Sequence, residues 1–330
     1  MFQHILVPLD GSSRAERALP VAARLAQVSG GMVVLLRVVS PPTEFAPYPA
    51  AEPMTFQATI NADLEEARNY LKSITNVSSL SCVHTETEVL LGQPAATILS
   101  VAKARHIDLV VLCSHGYTGM KRQVIGSIAE QVAHHAPAPV LLLREEGPAL
   151  VGTSPHEGPL GTWRALIPLD GSEQAVAAIV PSAQLVTALA APEPGALHFI
   201  QVVIPPVAEQ ISQSEREAIV QKAKEYLSAT VEHIRQGRVA SPVAGLQLAM
   251  TWSVTIDDDI VAGIARVAEE GEDVEGAGVF GKSDVIAIAT HGYGGLRQWA
   301  MGSITERVLQ VTRLPLLIVR PPKMIEKGNY

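Results

Sequence analysis

The chain has 330 residues, 47% of them apolar, 18% charged and 4% aromatic. That length suggests two domains of roughly 150 residues each, with apolar material enough for two cores. Lys and Arg number 25 against 33 Asp and Glu, a net charge of -8, which excludes a domain-wide basic field for nucleic acid or anionic lipid. The scarcity of aromatic residues excludes a surface of stacked rings for bases or sugars.

The chain opens MFQHILVPLDGS, without the basic segment and long apolar core of a signal peptide. A soluble cytoplasmic protein without membrane or nucleic-acid partners is therefore expected. Two cysteines, Cys82 and Cys113, make neither a disulfide framework nor a CxxC zinc site.

In chain order, ILVPL, MVVLLRVV, DLVVLCS and PVLLLR are short, continuous apolar runs, the pattern of strands buried on both faces. Between them lie longer helical periods: SRAERALPVAARLAQVSG, FQATINADLEEARNYLKSITN, PAATILSVAKARH and GSIAEQVAHHA. Strand and helix in alternation predict βαβ units and a parallel sheet of about five strands flanked by helices. The stretch 147–161, GPALVGTSPHEGPLG, has linker composition and separates a first domain, 1–146, from a second, 162–330.

The second half repeats the first. HILVPLDGS (4–12) returns as ALIPLDGS (165–172), and RVVSPP (37–42) as QVVIPP (201–206). DLVVLCSHGYTGMKRQVIGSIAEQV (108–132) returns as DVIAIATHGYGGLRQWAMGSITERV (284–308), and APVLLLR (138–144) as LPLLIVR (314–320). Four matched segments in one order mean two tandem copies of one domain, with insertions in the second. Each copy ends in an apolar strand that follows every helix able to cover it. A free apolar edge invites pairing, so an intramolecular pseudo-dimer, or a homodimer, is expected.

In such sheets a ligand sits beyond the carboxyl ends of the strands. Asp10 and Asp170 follow the first strand of each copy, where a carboxylate can accept from a base amine or a ribose hydroxyl, or cap the next helix. After the fourth strand come Ser114-His115-Gly116-Tyr117-Thr118-Gly119 and then Gly126-Ser127. The second copy has Thr290-His291-Gly292-Tyr293-Gly294-Gly295 and then Gly302-Ser303. Glycine lets a backbone approach phosphate closely, and a helix N-terminus offers N–H groups and a positive dipole. The same residues also fit a glycine-rich turn with a serine cap.

These segments resemble the universal stress protein family. The family's signature Gly-x2-Gly-x9-Gly-Ser/Thr is matched by Cys113-x2-Gly116-x9-Gly126-Ser127 and Ala289-x2-Gly292-x9-Gly302-Ser303, each departing only at its first position. The resemblance covers both copies apart from linker and insertions. It implies two Rossmann-like (flavodoxin-like) domains of the adenine-nucleotide-binding type. It also implies ATP as ligand, alone or with Mg²⁺, and a stress-response signalling or regulatory role. By the same resemblance Asp10 and Asp170 contact adenine, and the backbone at Val38 and Val202 closes over the base. Gly116, Gly126, Ser127 and Ile128, and Gly292, Gly302, Ser303 and Ile304, hold ribose and phosphates. Cys113 places more bulk at the first site than the Ala289 methyl places at the second.

No general base, nucleophile or metal-ligand spacing stands out, so a binding module is expected; a nucleotide-free partner-binding scaffold and a slow ATPase are the alternatives. One motif competes. Gly276-Ala-Gly-Val-Phe-Gly281-Lys282-Ser283 fits the P-loop expression, but a strand follows it and an acidic helical stretch precedes it, the reverse of the context that motif needs. The 271–281 segment is expected to be a flexible insertion absent from the first copy.

Overall fold

In the computed structural model the residues described are 1–41, 53–114, 125–144, 147, 150–151, 162–205, 212–274, 278–290 and 301–321. The chain divides into two compact units, Met1–Thr153 and Ser154–Tyr330. No helix among the described residues is long and apolar enough to cross a membrane.

The first unit runs β1 (His4–Leu9), α1 (Ser13–Glu16), α2 (Ala18–Ser29), β2 (Met32–Val39), α3 (Pro53–Thr75), β3 (His84–Leu91), α4 (Pro94–Ala104), β4 (Leu109–Cys113), α5 (Ser127–His135) and β5 (Val140–Leu143). Its strands lie in the order β3-β2-β1-β4-β5, every pair parallel. The apolar runs form central strands because helices cover both faces. Ile5, Leu6, Leu35, Leu36, Leu109 and Leu141 are all 0% exposed, and such a side chain contributes about 1.5–3 kcal/mol when buried. Local signals fix the helix ends. Gly30, at φ 65, closes α2, and Pro94 opens α4.

The second unit repeats this with β6 (Arg164–Pro168), α6 (Ile179–Ala190), β7 (Gly195–Val203), α7 (Gln213–Arg235), β8 (Leu248–Ile256), α8 (Ile260–Glu270), β9 (Glu272–Val274), β10 (Gly278–Phe280), β11 (Val285–Ala289), α9 (Ser303–Val311) and β12 (Leu316–Val319). Its five-strand order is β8-β7-β6-β11-β12, again parallel. A capping box opens α7: Ser212 Oγ accepts from the Glu215 N–H, and the Glu215 carboxylate accepts from Ser212 N–H at 2.8 Å. In each unit the strand order reverses at the first strand, which places the ends of β1 and β4, or of β6 and β11, around one crevice.

The insertion differs from the expectation of a flexible loop. β9 and β10 pair antiparallel as a hairpin, anchored by a polar cluster on the sheet. Glu272 accepts from Ser253 Oγ at 2.5 Å and from Thr255 Oγ1 at 2.8 Å. His198, 0% exposed, bonds Thr251 Oγ1 at 2.8 Å and Ser253 Oγ at 2.9 Å. The Phe280 ring stacks on it with centroids 4.1 Å apart. Ser253 Oγ donates to Glu272 and therefore accepts from His198 Nε2–H. Nδ1 then accepts from Thr251. Glycine is required where α8 turns into the hairpin: Gly271 has φ +82, and a Cβ there would lie 2.2 Å from Phe280 O. The first copy solves the same place differently, with Arg105 paired to Glu86 and Glu88.

The hairpin settles the context of the P-loop-like run. Its Lys282 and Ser283 follow β10 and lead into β11, and Ser283 N–H donates to Ala268 O at 2.8 Å. No helix begins there. Lys282 precedes β11, whereas Gly302 and Ser303 come after it, and a five-residue strand separates its two rims by roughly 16 Å. If the chain binds ATP as the family resemblance implies, Lys282→Ala should leave that affinity within about threefold of wild type in calorimetry. A hundredfold loss would show that the motif is a working phosphate loop.

Candidate functional site

The first unit holds a cavity of about 600 Å³ at the carboxyl ends of its strands. Asp10, Val38, Gly126, Ser127 and Ile128 all line it. Five residues far apart in sequence are thereby brought together. Gly116 lies outside the described residues, as do His115, Lys121 and Arg122. In the second unit Gly292, His291 and Arg297 are likewise outside them, while Asp170, Val202, Gly302, Ser303 and Ile304 occupy the corresponding positions after β6, in β7 and around the start of α9.

The aspartates do not cap the following helix segments. Ser12 Oγ accepts from Ala15 N–H at 3.2 Å, and Asp10 Oδ1 accepts from Ser12 N–H at 2.9 Å and Ser12 Oγ at 2.6 Å. Asp170 repeats the arrangement with Ser172 at 3.0 and 2.6 Å, and Ser172 Oγ accepts from Ala175 N–H at 3.2 Å. Ser12 is the N-cap of α1, Ser172 makes the matching bond in the second copy, and in each the aspartate braces the serine, which fixes the carboxylate at the strand end.

The serine-cap reading of the glycine-rich loops is also corrected. Gly126 and Gly302 are the N-cap residues, and neither helix has a side-chain cap bond. Ser127 and Ser303 are the first helical residues. Gly126 N–H donates to Ser114 O at 2.8 Å and Gly302 N–H to Thr290 O at 2.6 Å, which ties each helix start to the end of the preceding strand. In the first unit this places the first-turn N–H groups of α5, and the positive end of its dipole, at the cavity.

Several lining residues escaped the reading of the sequence, four of them on α3. Asp63, Glu66, Ala67 and Tyr70 face the cavity from α3. Their i, i+3, i+4, i+7 spacing is the stripe of one helix face, but nothing in the sequence says what that face covers. Tyr70 donates to Glu16 Oε1 at 3.0 Å; burial first, then that bond, holds the phenol well above its ordinary range. Arg37 also lines the cavity, its Nη1 donating to Leu9 O at 3.3 Å. A lone cation in the apolar run MVVLLRVV was the available signal. Cys113 lines the cavity without closing it. Among the described residues the lining therefore joins carboxylate acceptors, the Arg37 guanidinium and uncapped helix N–H groups around apolar walls, a set suited to a ligand with polar and anionic ends.

Comparisons with known proteins bear on the family and the fold. The model of the universal stress protein family matches residues 1–144 and 163–320. A universal stress protein of Thermus aquaticus is 33% identical over 145 residues, covering 44% of this chain and 100% of its own. One from Mycolicibacterium smegmatis is 24% identical over 331 residues, covering 96% of this chain and 97% of its own. Among solved structures, a universal stress protein from Archaeoglobus fulgidus shares the fold with a TM-score of 0.60 at 16% identity, over 97% of both chains. A protein described as a universal stress protein of Pseudomonas aeruginosa does so at 0.52 and 18%, over 97% of this chain and 94% of its own. The chain thus belongs to the universal stress protein family and carries two copies of its domain in tandem.

Proposed function

We propose that this protein binds adenine nucleotide, ATP alone or with Mg²⁺, and serves as a regulatory module of the stress response. The observation that carries the reading is the gathering of Asp10, Val38, Gly126, Ser127 and Ile128 around one cavity of about 600 Å³, within the roughly 300–1,000 Å³ range of small-molecule sites. Each part of a nucleotide has a counterpart there. The strand-end carboxylate of Asp10 accepts from an amine or a ribose hydroxyl. The uncapped start of α5 suits phosphate, because N–H groups and dipole act together on an anion. The glycine at its N-cap leaves that approach open. Mg²⁺, when bound with the nucleotide, would offset phosphate charge near Asp63 and Glu66. Association of copies, within one chain or between two, belongs to the same proposal and rests on the apolar sequence of the terminal strands.

Extraction of nucleotide from freshly purified native protein, followed by chromatography, tests the proposal. Recovery of an adenine nucleotide near one equivalent per site is the expected result. An empty extract together with no heat on ATP titration would favour a nucleotide-free scaffold. Steady release of phosphate from excess ATP would instead favour the slow ATPase.

A further inference from the structure

The two copies carry a tyrosine at matching places and satisfy it differently. α3 packs on β2 and β3, and α7 on β7 and β8. Ala67, Leu71 and Ile74 lie on the buried face of α3, and Ala223, Leu227 and Thr230 repeat that spacing, buried, on α7. Tyr70 and Tyr226 hold the same step of the pattern, each directly before the leucine. In the first copy Tyr70 lines the cavity and donates to Glu16 Oε1 at 3.0 Å. Glu16 comes right after Ala15, whose N–H bonds the Ser12 hydroxyl; after Ala175, which bonds Ser172 in the same way, comes Val176. Valine has nothing with which to accept.

Tyr226 Oη is buried and has no hydrogen-bond partner among the described residues. The strand-end aspartate acts on both phenols, Asp10 on Tyr70 and Asp170 on Tyr226. Burial first, with the Asp170 charge adding to it, holds the Tyr226 phenol above its ordinary range. The Thr230 hydroxyl and the Gly171 N–H act the other way, neither at hydrogen-bonding geometry. The Thr230 proton goes instead to Tyr226 O at 2.8 Å. Buried polar groups are as a rule paired, so the Tyr226 hydroxyl calls for an acceptor from a ligand or water. An ionised carboxylate such as Asp170 only accepts, whereas the phenol has a proton to give. Together they complement a ligand that offers a donor and an acceptor close together.

We propose that Tyr226 is a ligand-binding residue of the second copy, its hydroxyl donating to an acceptor atom of the nucleotide held beside Asp170, and that in the first copy Glu16 takes the corresponding proton from Tyr70. The inference rests on the nucleotide-binding reading above and deepens it.

Calorimetry with ATP on the full-length chain, its first copy silenced by Gly126→Val, tests it together with thermal melts of the ligand-free protein. Tyr226→Phe should weaken ATP binding by the second copy about tenfold, the size of one hydrogen bond. Val176→Glu, which restores an acceptor inside the protein, should weaken it by a similar factor. Without ligand, Tyr226→Phe should melt no lower than wild type, because the hydroxyl it removes makes no bond. Tyr70→Phe, which strands Glu16, should lower the melting temperature by about 2–4 °C. Unchanged ATP affinity in folded Tyr226→Phe would overturn the proposal and leave water as the partner. A ligand-free melt lowered as far by Tyr226→Phe as by Tyr70→Phe would also overturn it, by showing that the hydroxyl is already bonded within the protein. If either Tyr226→Phe or Val176→Glu fails to fold by circular dichroism, the other decides. No ATP binding by the second copy defeats the nucleotide reading there, and this inference with it; binding that neither variant weakens defeats only this inference.

Discussion

Gly126→Val should lower ATP affinity at the first copy at least about a hundredfold and leave the fold in place, because the residue supplies access rather than conformation. Gly126 sits at φ -62 and ψ 142, an extended backbone that valine adopts without strain. Its N–H, which donates to Ser114 O at 2.8 Å, survives the change. The new methyl groups, however, stand beside the open N–H groups of α5 at a position that lines the cavity. Each charge-assisted bond to phosphate is worth about 1.5–3 kcal/mol, so losing two accounts for the hundredfold. Calorimetry reads the affinity, with the second site silenced by Gly302→Val, and a thermal melt reads the fold. Unchanged affinity in a folded Gly126→Val protein would remove the α5 terminus from the site.

The second large effect concerns acid. His198 is buried with both ring nitrogens bonded to hydroxyls, and burial pushes its pKa down from 6.5 to about 3. Above pH 6.5 the ring is neutral folded and unfolded, and its contribution does not change with pH. Between pH 6.5 and about 3 only the unfolded chain takes up the proton, so stability is lost as pH falls. The slope is at most roughly 1.4 kcal/mol per pH unit, and the loss across the window is on the order of 4 kcal/mol. Hydrogen exchange of β7 and β8 amides, followed from pH 7 to 4, should report the opening of this region. His198→Gln, which keeps a polar side chain but cannot titrate, should flatten that dependence. An equally steep dependence in His198→Gln would place the acid sensitivity elsewhere.

What the sequence disclosed follows from the range of the interactions involved. Strands such as DLVVLCS were legible because burial on both faces leaves a continuous apolar run, and the repeat checked each assignment against a second copy. Asp10, Val38 and the Gly126-Ser127 helix start were legible because each follows, or ends, a recognisable strand. Roles within those motifs were harder to read. Whether Asp10 or Ser12 caps α1, and whether Gly126 or Ser127 caps α5, depends on one residue of backbone geometry that composition does not encode. The β9–β10 hairpin was missed because its strands are three residues each, too short for alternation to show. Its anchors, Ser253, Thr255 and His198, lie on strands 17 to 74 residues upstream of Glu272. They read in the sequence as ordinary polar interruptions. The α3 stripe and Arg37 carried a period and a charge, but only the tertiary fold shows that both turn toward the cavity.

The central claim is that ATP occupies the first-copy cavity, and hydrogen exchange of the intact protein with and without saturating ATP tests it most directly. Slower exchange confined to segments 10–12, 37–40 and 126–129, together with their counterparts 170–172, 201–204 and 302–305 where the second copy is filled, is the predicted result. Exchange unchanged by ATP at 10–12 and 126–129 would contradict the account, and protection appearing instead around Lys282 would move the site to the hairpin.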